Sequence, residues 1–171
     1  MKFRTVTGKD IDLLNLKPGD IDINTIARGL AKQVRYNGQG NSDLTVLTHS
    51  MWVAHRVEAQ DKTDQHTALV ALLHDATEAY ISDIFGGVKA YFRNYRQFEK
   101  KLFIQILNQL GIKQPTDAQL ARINRVDKAI VSTEKHLLFK QPGTTVKNAT
   151  EEQFIDTFCD MMTVYAHNEK S

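Results

Sequence analysis

The sequence predicts an all-α fold, a helical bundle with a small N-terminal β-hairpin. Three observations carry this prediction. Apolar residues recur at helical spacing in six stretches, capping residues, Gly or Pro bound those stretches, and short β-leaning runs occur near the start of the chain. With 171 residues, of which 42% are hydrophobic and 25% charged, the chain is most simply a single domain over residues 1–171.

The hairpin prediction rests on residues 2–16, where β-leaning runs flank the turn Thr7-Gly8-Lys9-Asp10. Helix starts are predicted from side chains that can accept the free N–H groups of a first turn, and helix ends from Gly or Pro. Irregular backbone is expected at the glycine-containing stretches 35–42 and 81–88. The predicted helices are 22–34 (capped by Asp22 or Asn24), 45–60 (Ser42 or Asp43), 65–75 (Thr63 or Asp64), 94–110 (ending at Gly111), 116–140 (beginning at Pro115-Thr116) and 150–162 (Thr150 with Gln153).

Composition argues against several classes of function. The 22 basic and 20 acidic residues leave a formal charge of +2, so we expect no stable nucleic-acid partner. The single Cys159 excludes an internal disulfide and a multi-cysteine metal site, which suits a reducing compartment. The chain starts with polar residues and has no run of membrane-spanning length, so we expect a cytoplasmic protein without a membrane partner.

The segment Ala71 to Glu78 places polar side chains where packing alone would favour Leu or Ala. An apolar run ends in His74-Asp75, and these neighbours can present an imidazole nitrogen and a carboxylate oxygen to one cation without any loop closure. Two ligands do not complete a metal site. His49 and Asp127 are the best further candidates in this chain.

Asp127 interrupts the apolar stripe of its predicted helix between Ile123 and Ile130, a core-facing position. Burying an unpaired carboxylate costs on the order of several kcal/mol, which a cation would remove. A buried ion pair with Arg or Lys is the alternative. His49 lies on the apolar stripe of the second helix, where a hydrogen-bonded core histidine is the alternative to a ligand. Glu134 lies near the face of Asp127 and could orient a histidine or a basic group.

Two imidazoles and two carboxylates form a mixed nitrogen and oxygen set, which suits Mn, Fe, Co, Ni or Zn rather than Ca. Such a site lowers the pKa of a bound water and polarises phosphoryl oxygens, so the implied chemistry is hydrolysis. Glu78 could accept or donate a proton, and Asp83 is a second such carboxylate, with a helix cap or surface charge as the alternative. The remaining histidines are interpreted as surface groups: His55, His66, His136 and His167.

The ordered pattern His49, His74-Asp75 and Asp127 resembles the HD-domain metal-dependent phosphohydrolases, whose signature is a histidine, a His-Asp pair and a distant aspartate. The match is closer to the small deoxynucleotide phosphohydrolases, which include YfbR-like 5'-deoxynucleotidases and DatZ-type phage enzymes that hydrolyse dATP. The resemblance covers about residues 19–138. The short chain and the Arg-Tyr-Asn-Gly loop are more similar to the phage type, whose location would be the host cytoplasm.

The resemblance implies roles for several further residues. Arg35 would bind phosphate, and Tyr36, which stands where close relatives carry tryptophan, would stack on the base or sugar. Gly38 stands where DatZ-type enzymes carry a branched residue that narrows the base pocket. Lys89 matches a phosphate-contacting lysine, with a solvated surface charge as the alternative. Two residues match the catalytic carboxylates of the family, Glu78 and Asp83.

We therefore expect a divalent-metal enzyme that hydrolyses a purine deoxynucleotide, with dATP giving deoxyadenosine and triphosphate. The cofactor would be one transition metal per chain, Co, Mn or Zn, with Mg in addition for a triphosphate substrate. The alternatives are a 5'-deoxynucleotidase that releases phosphate from monophosphates, a non-catalytic nucleotide-binding sensor and a plain helical partner-binding module. The resemblance also implies a homo-oligomer, a dimer or a hexamer. The expected metal ligands are His49, His74, Asp75 and Asp127.

Overall fold

The computed structural model describes residues 2–84, 86–89 and 91–169. This part of the chain contains eight α-helices and one antiparallel two-stranded sheet, so the predicted fold class is confirmed. Among the described helices none is both long and apolar enough to cross a membrane. The elements are β1 (Lys2–Arg4), β2 (Asp10–Asp12), α1 (Ile23–Ala31), α2 (Val46–Gln60), α3 (Gln65–Leu72), α4 (Glu78–Ile81), α5 (Gly86–Lys89), α6 (Arg93–Gln109), α7 (Asp117–Lys140) and α8 (Glu151–Asn168).

The hairpin lies on the helical body and is tied to it. Phe3 pairs with Ile11, and the Ile11 side chain is buried in the core. After the hairpin, buried Asp20 forms an ion pair of 2.7 Å with Lys9, and its backbone N–H donates to the side-chain oxygen of Gln109 in α6. These contacts hold the hairpin against the C-terminal end of α6.

The centre of the bundle is α3, whose residues Thr67 to Leu72 are all buried. It packs against α2, α7 and α8, and α2 also packs against α7. A helix that is apolar on all sides belongs in the middle of a bundle, because every face must be covered. The segment that follows α3 therefore begins deep in the protein, beside α2 and α7.

Several predicted caps are confirmed. Asp22 caps α1 and Asp64 caps α3, and Thr150 forms a capping box with Gln153 at the start of α8. The predicted cap of α2, Ser42 or Asp43, is wrong, because the side chain of Thr45 accepts the N–H of Thr48 instead.

The first helix ends at Ala31 rather than at Val34. Val34 forms an isolated antiparallel bridge with Thr45, and the N–H of Arg35 donates to Leu44 at 2.8 Å. This pairing keeps the chain extended on both sides of the loop 35–44. Tertiary pairing has here overridden the helical pattern of α1.

Irregular backbone was predicted over 81–88, and this is wrong in part. Residues 82–84 are irregular and Ser82 has a φ of 67°, but Gly86 begins the short helix α5. Upstream, the predicted third helix stops at Leu72, and turns lead from there into α4.

The contact between α1 and α4 depends on Gly29. A Cβ atom at this position would lie 2.7 Å from the Cα of Ala79, closer than a real Cβ atom can approach. Glycine therefore allows the two helices to touch through their backbones. Glu78, which begins α4, is positioned by this packing.

Candidate metal centre and adjoining cavities

Three of the four predicted metal ligands converge on one point. His49 comes from the first turn of α2, His74 from the turn after α3, and Asp127 from the middle of α7. The two Nε2 atoms are 3.3 Å apart, and His49 Nε2 is 3.1 Å from Asp127 Oδ1. Ligand atoms of the three residues all lie within 4.8 Å of one another, so this group could hold a metal ion.

The Nδ1 atom of each imidazole, which points away from the convergent group, lies within hydrogen-bond distance of an oxygen acceptor. His74 Nδ1 lies 2.7 Å from the carbonyl oxygen of Ala71, which can only accept, so Nδ1 carries a hydrogen. His49 Nδ1 lies 2.6 Å from Oε1 of Glu134. Burial disfavours the charged form of Glu134, but the hydrogen bond from His49 and the charge of Arg35 outweigh it and lower the pKa of this carboxyl. An ionised carboxylate accepts the His49 hydrogen.

The donor set fits a divalent cation. With hydrogens on both Nδ1 atoms, neutral imidazoles direct their Nε2 lone pairs into the same space, where they repel unless a positive charge lies between them. Burial lowers the pKa of His74, but the neighbouring Asp75 outweighs burial and raises this pKa to about 9. A proton therefore supplies part of that positive charge in the metal-free chain.

Asp75 lies beside the convergent group. Its Oδ2 is 3.3 Å from His74 Nε2, 3.6 Å from His49 Nε2 and 3.6 Å from Arg35 Nη1. Burial opposes ionisation, but the charge of His74 outweighs it and holds the pKa of Asp75 well below its usual range. An ionised oxygen so close to both imidazoles is available as a fourth ligand.

Among the residues that the structure describes, Asp127 forms no ion pair with Arg or Lys. Within the described ranges, its only ion-pair partner closer than 4.0 Å is His49. Its side chain is 30% exposed, so the prediction of a core-facing position is corrected: the carboxylate opens onto a cavity. His49, by contrast, is buried and hydrogen-bonded, and it also contributes to the convergent group.

Glu134 links the candidate metal group, which consists of His49, His74 and Asp127, to the loop that follows α1. Its Oε2 accepts a hydrogen bond of 3.1 Å from Arg35 Nε and one of 2.8 Å from the Tyr36 hydroxyl. Glu134 was predicted to orient a histidine or a basic group, and it contacts one of each, His49 and Arg35. Since Glu134 is buried, one negative charge holds His49 and Arg35 in place.

The loop itself is a 3-10 turn over Arg35–Gly38, in which Tyr36 and Asn37 adopt left-handed φ angles of 57° and 52°. The Tyr36 ring contacts Phe139 edge-on, with ring centroids 5.5 Å apart. Gly38 has a φ of 68°, and a Cβ there would meet nothing within 4 Å. The turn presents Arg35 and Tyr36 to one cavity, which exposed Gly38 does not line.

Glu78 is a buried carboxyl with an incomplete set of partners. Its Oε1 lies 3.3 Å from Lys89 Nζ, whereas Oε2 has no hydrogen-bond partner in the described part of the chain. Burial raises the pKa of Glu78 to about 8, and the nearby charges of Asp75 and Asp83 add to this. Glu78 can therefore hold a proton at neutral pH.

Lys89 is tied to two carboxylates, with Nζ also 2.7 Å from Glu99. Burial disfavours its charge, but Glu99 and Glu78 outweigh burial and raise the pKa of Lys89. The alternative of a solvated surface charge is therefore excluded. Sequence analysis missed Glu99, which carries no motif.

Gln33 is a second residue that sequence analysis missed. Its side-chain nitrogen donates to the carbonyl oxygen of Glu78 at 2.8 Å, and its side-chain oxygen accepts the N–H of Asp83 at 2.7 Å. Burial raises the pKa of Asp83. A glutamine just after a helix carries no sequence signal, although here it holds the backbone of both residues that carry the predicted catalytic carboxylates.

Two cavities meet beside the candidate metal group: Asp127 lines both, His74 lines the smaller one and His49 lines neither. They share the lining residues Asp75, Lys89 and Asp127. The larger, of about 490 Å³, is lined by Arg35, Tyr36, Asn37, Gln39, Asp75, Glu78, Asp83, Ile84, Lys89, Asp127, Val131, Lys135 and Phe139. The smaller, of about 320 Å³, is lined by Val70, His74, Asp75, Thr77, Lys89, Arg96, Glu99, Lys100, Phe103, Leu120, Ile123, Asn124 and Asp127.

The other histidines line neither cavity. His66 is half-buried: its Nε2 is 2.9 Å from the carbonyl oxygen of Lys113, and its ring stacks on Tyr165. Its interpretation as a surface group is therefore wrong, because it closes the contact between α3 and α8. His55 and His167 are exposed, as predicted.

No protein-family model matches the chain. An uncharacterized protein of Rhodobacter capsulatus is 33% identical over 123 residues, which are 70% of this chain and 63% of the relative, so the chain spans less than two thirds of that protein. The uncharacterized protein YfdR of Escherichia coli strain K12 is 34% identical over 143 residues, which are 83% of this chain and 75% of YfdR. With that identity and coverage, the chain belongs to the same protein family as YfdR.

Proposed function

We propose that the chain is a metal-dependent phosphohydrolase that cleaves a purine deoxynucleotide, with dATP giving deoxyadenosine and triphosphate. The convergence of His49, His74 and Asp127 where two cavities meet carries the proposal. Co, Mn or Zn suits the two imidazoles and the carboxylate, with Asp75 as a further oxygen ligand. An ion held there would polarise a phosphoryl oxygen and lower the pKa of a water molecule.

The cations of the larger cavity are suited to bind the attacked phosphate. Arg35 has its Nε engaged by Glu134 and its Nη1 directed towards Asp75, which fixes the plane of the guanidinium. A guanidinium so fixed offers parallel hydrogen bonds to phosphate oxygens. Lys89, held between Glu78 and Glu99, adds positive charge at the junction of the two cavities.

The proposed reaction consumes one water molecule. The water oxygen forms a bond to the α-phosphorus, the bond between that phosphorus and O5' breaks, and the nucleoside leaves as an alcohol. Glu78, protonated at neutral pH, donates a proton to O5', and the resulting carboxylate takes the proton that the water loses. Its incomplete hydrogen bonding leaves Oε2 free for this exchange.

The nucleoside would lie in the larger cavity against Tyr36. The Tyr36 hydroxyl is held by Glu134, so the ring is fixed as a stacking platform for a base or a sugar. Gly38 is exposed and lines neither cavity, so the purine would lie against Tyr36 and Phe139 instead. By resemblance we also propose a homo-oligomer that acts in the cytoplasm.

Product analysis tests the proposal. Metal-loaded protein is incubated with dATP or dAMP in Mn, Co or Zn, and products are separated by chromatography. We expect deoxyadenosine and triphosphate from dATP, no product with His74→Ala or Asp127→Ala, and unchanged turnover with Asp160→Ala, which removes an exposed carboxylate of α8. Phosphate from dAMP alone would establish a 5'-deoxynucleotidase instead, and tight nucleotide binding without any product would establish a sensor.

A further inference from the structure

The smaller cavity has cations that the proposed reaction does not use. Arg96 and Lys100 are four positions apart on α6, so they lie on one face of that helix, and both line this cavity. Asn124, from α7, lines it as well. The same lining includes His74 and Asp127 of the metal group, so a ligand in this cavity reaches the metal position.

Arg96 and Lys100 are exposed where they line this cavity. In the parts of the chain that the structure describes, neither Arg96 nor Lys100 has a carboxylate within 4.0 Å. Glu99, which lies between them in the sequence, is bound to Lys89 at 2.7 Å instead. Two uncompensated cations on one face repel each other, and an anion placed between them would remove that repulsion.

The two cavities differ in what they can bind. The larger contains the aromatic rings of Tyr36 and Phe139, which suit a nucleoside. A nucleotide that lies across the junction, with its nucleoside on those rings, directs its phosphates past the metal group into the smaller cavity. In that orientation the single phosphate of a monophosphate would end at the junction, and only a longer phosphate chain would reach Arg96 and Lys100.

Building on the proposed function, we propose that Arg96 and Lys100, with Asn124, form a subsite for the terminal phosphates of a nucleoside triphosphate. A guanidinium, an ammonium and an amide together offer many N–H donors to phosphoryl oxygens. The subsite selects a triphosphate over a monophosphate, and it would hold the triphosphate product after the nucleoside has left.

Calorimetric titration of the metal-loaded, full-length protein with the magnesium salt of inorganic tripolyphosphate tests the subsite without turnover. The test variant is R96A/K100A. The control is K101A/R125A, which removes the same charge from exposed positions of α6 and α7 that line neither cavity. We expect the test variant to bind tripolyphosphate at least about tenfold more weakly, and the control to change by less than about twofold. Equal tripolyphosphate binding by the two variants would overturn the subsite.

Turnover of dATP and dAMP by the same proteins separates this proposal from the previous one. We expect kcat/KM for dATP to fall in R96A/K100A, with kcat/KM for dAMP unchanged. Suppose that R96A/K100A loses tripolyphosphate binding but the native protein hydrolyses no deoxynucleotide. That result would support the subsite and reject the hydrolase. Hydrolysis with the same fall for dATP and dAMP would keep the hydrolase and reject the subsite.

Discussion

His49 Nδ1 lies 2.6 Å from Oε1 of Glu134, and the other oxygen of the same carboxylate accepts hydrogen bonds from Arg35 and Tyr36. One buried charge therefore orients a candidate metal ligand and the two residues proposed to bind phosphate and base. Binding of a metal ion and of the proposed substrate would be coupled through Glu134, because any shift of this carboxylate moves both His49 and Arg35.

Glu134→Gln should weaken metal binding by the folded protein, and it should also lower stability because Arg35 loses a buried ion-pair partner. The amide oxygen can still accept from His49, but the negative charge that makes the imidazole a stronger ligand is lost. Changes of this kind lower metal affinity by about 10-fold to 100-fold. Competition with a chromophoric chelator measures the affinity, and Glu152→Gln, an exposed change on α8, is the control. Equal affinities for the two variants would contradict the orienting role of Glu134.

Asp127→Ala should abolish metal uptake at little cost to the metal-free fold. The side chain is 30% exposed and its ion-pair partner is His49, so no Arg or Lys loses a partner, and protonated His74 keeps Asp75 at 3.3 Å. We expect the free energy of unfolding of the metal-free protein to change by less than about 1 kcal/mol, as for most partly exposed positions. Denaturant unfolding in a chelator measures it, and a loss of several kcal/mol would indicate a structural ion pair.

Glu78→Gln should stabilise the metal-free protein, and more so as the pH rises. Because the pKa of Glu78 is raised from 4.5 to about 8, the folded chain keeps a proton that the unfolded chain loses between those values. The native free energy of unfolding therefore falls as the pH rises through this window. The variant should gain on the order of 2 kcal/mol over the native chain between pH 5 and pH 8.

Urea unfolding of native protein and Glu78→Gln at several pH values, with chelator present, measures this difference. Glu152→Gln is again the control, because the Glu152 carboxylate is exposed. The difference in free energy of unfolding between this variant and the native protein should not change with pH. If the difference in free energy of unfolding between Glu78→Gln and the native protein also did not change with pH, Glu78 would ionise normally. It would then be unsuited to donate a proton at pH 7.

Gly29→Ala should destabilise the fold and impair the site together. The added Cβ would lie 2.7 Å from the backbone of Ala79, so α4 and the adjacent Glu78 must shift. Overpacking of this kind costs about 1–3 kcal/mol. Gly143→Ala is the comparison, since its φ of 80° strains the backbone but its Cβ meets nothing within 4 Å. Thermal unfolding and turnover measure the two effects, and we expect only Gly29→Ala to lower turnover in the protein that remains folded.

Local sequence signals predicted the helices well where a cap and an apolar stripe agree. The capping box of Thr150 and Gln153 is one example. They failed where distant segments meet. Val34 continues the stripe of α1 but pairs with Thr45, and the glycines near residue 86 suggested irregular backbone where α5 forms. Neither outcome can be derived from a window of neighbouring residues, because the decisive contacts come from elsewhere in the chain.

The sequence by itself determined the helical class and the identity of the ligand-type side chains, because capping, periodicity and the polar break at His74-Asp75 are local properties. Only the tertiary structure decided which side chains meet. His49 and Glu134 are 85 positions apart, and the direction of each imidazole depends on how α2, α3 and α7 pack. The same holds for Gln33, Glu99 and Arg96, which carry no motif and gain their contacts or proposed roles from the surfaces that packing places opposite them.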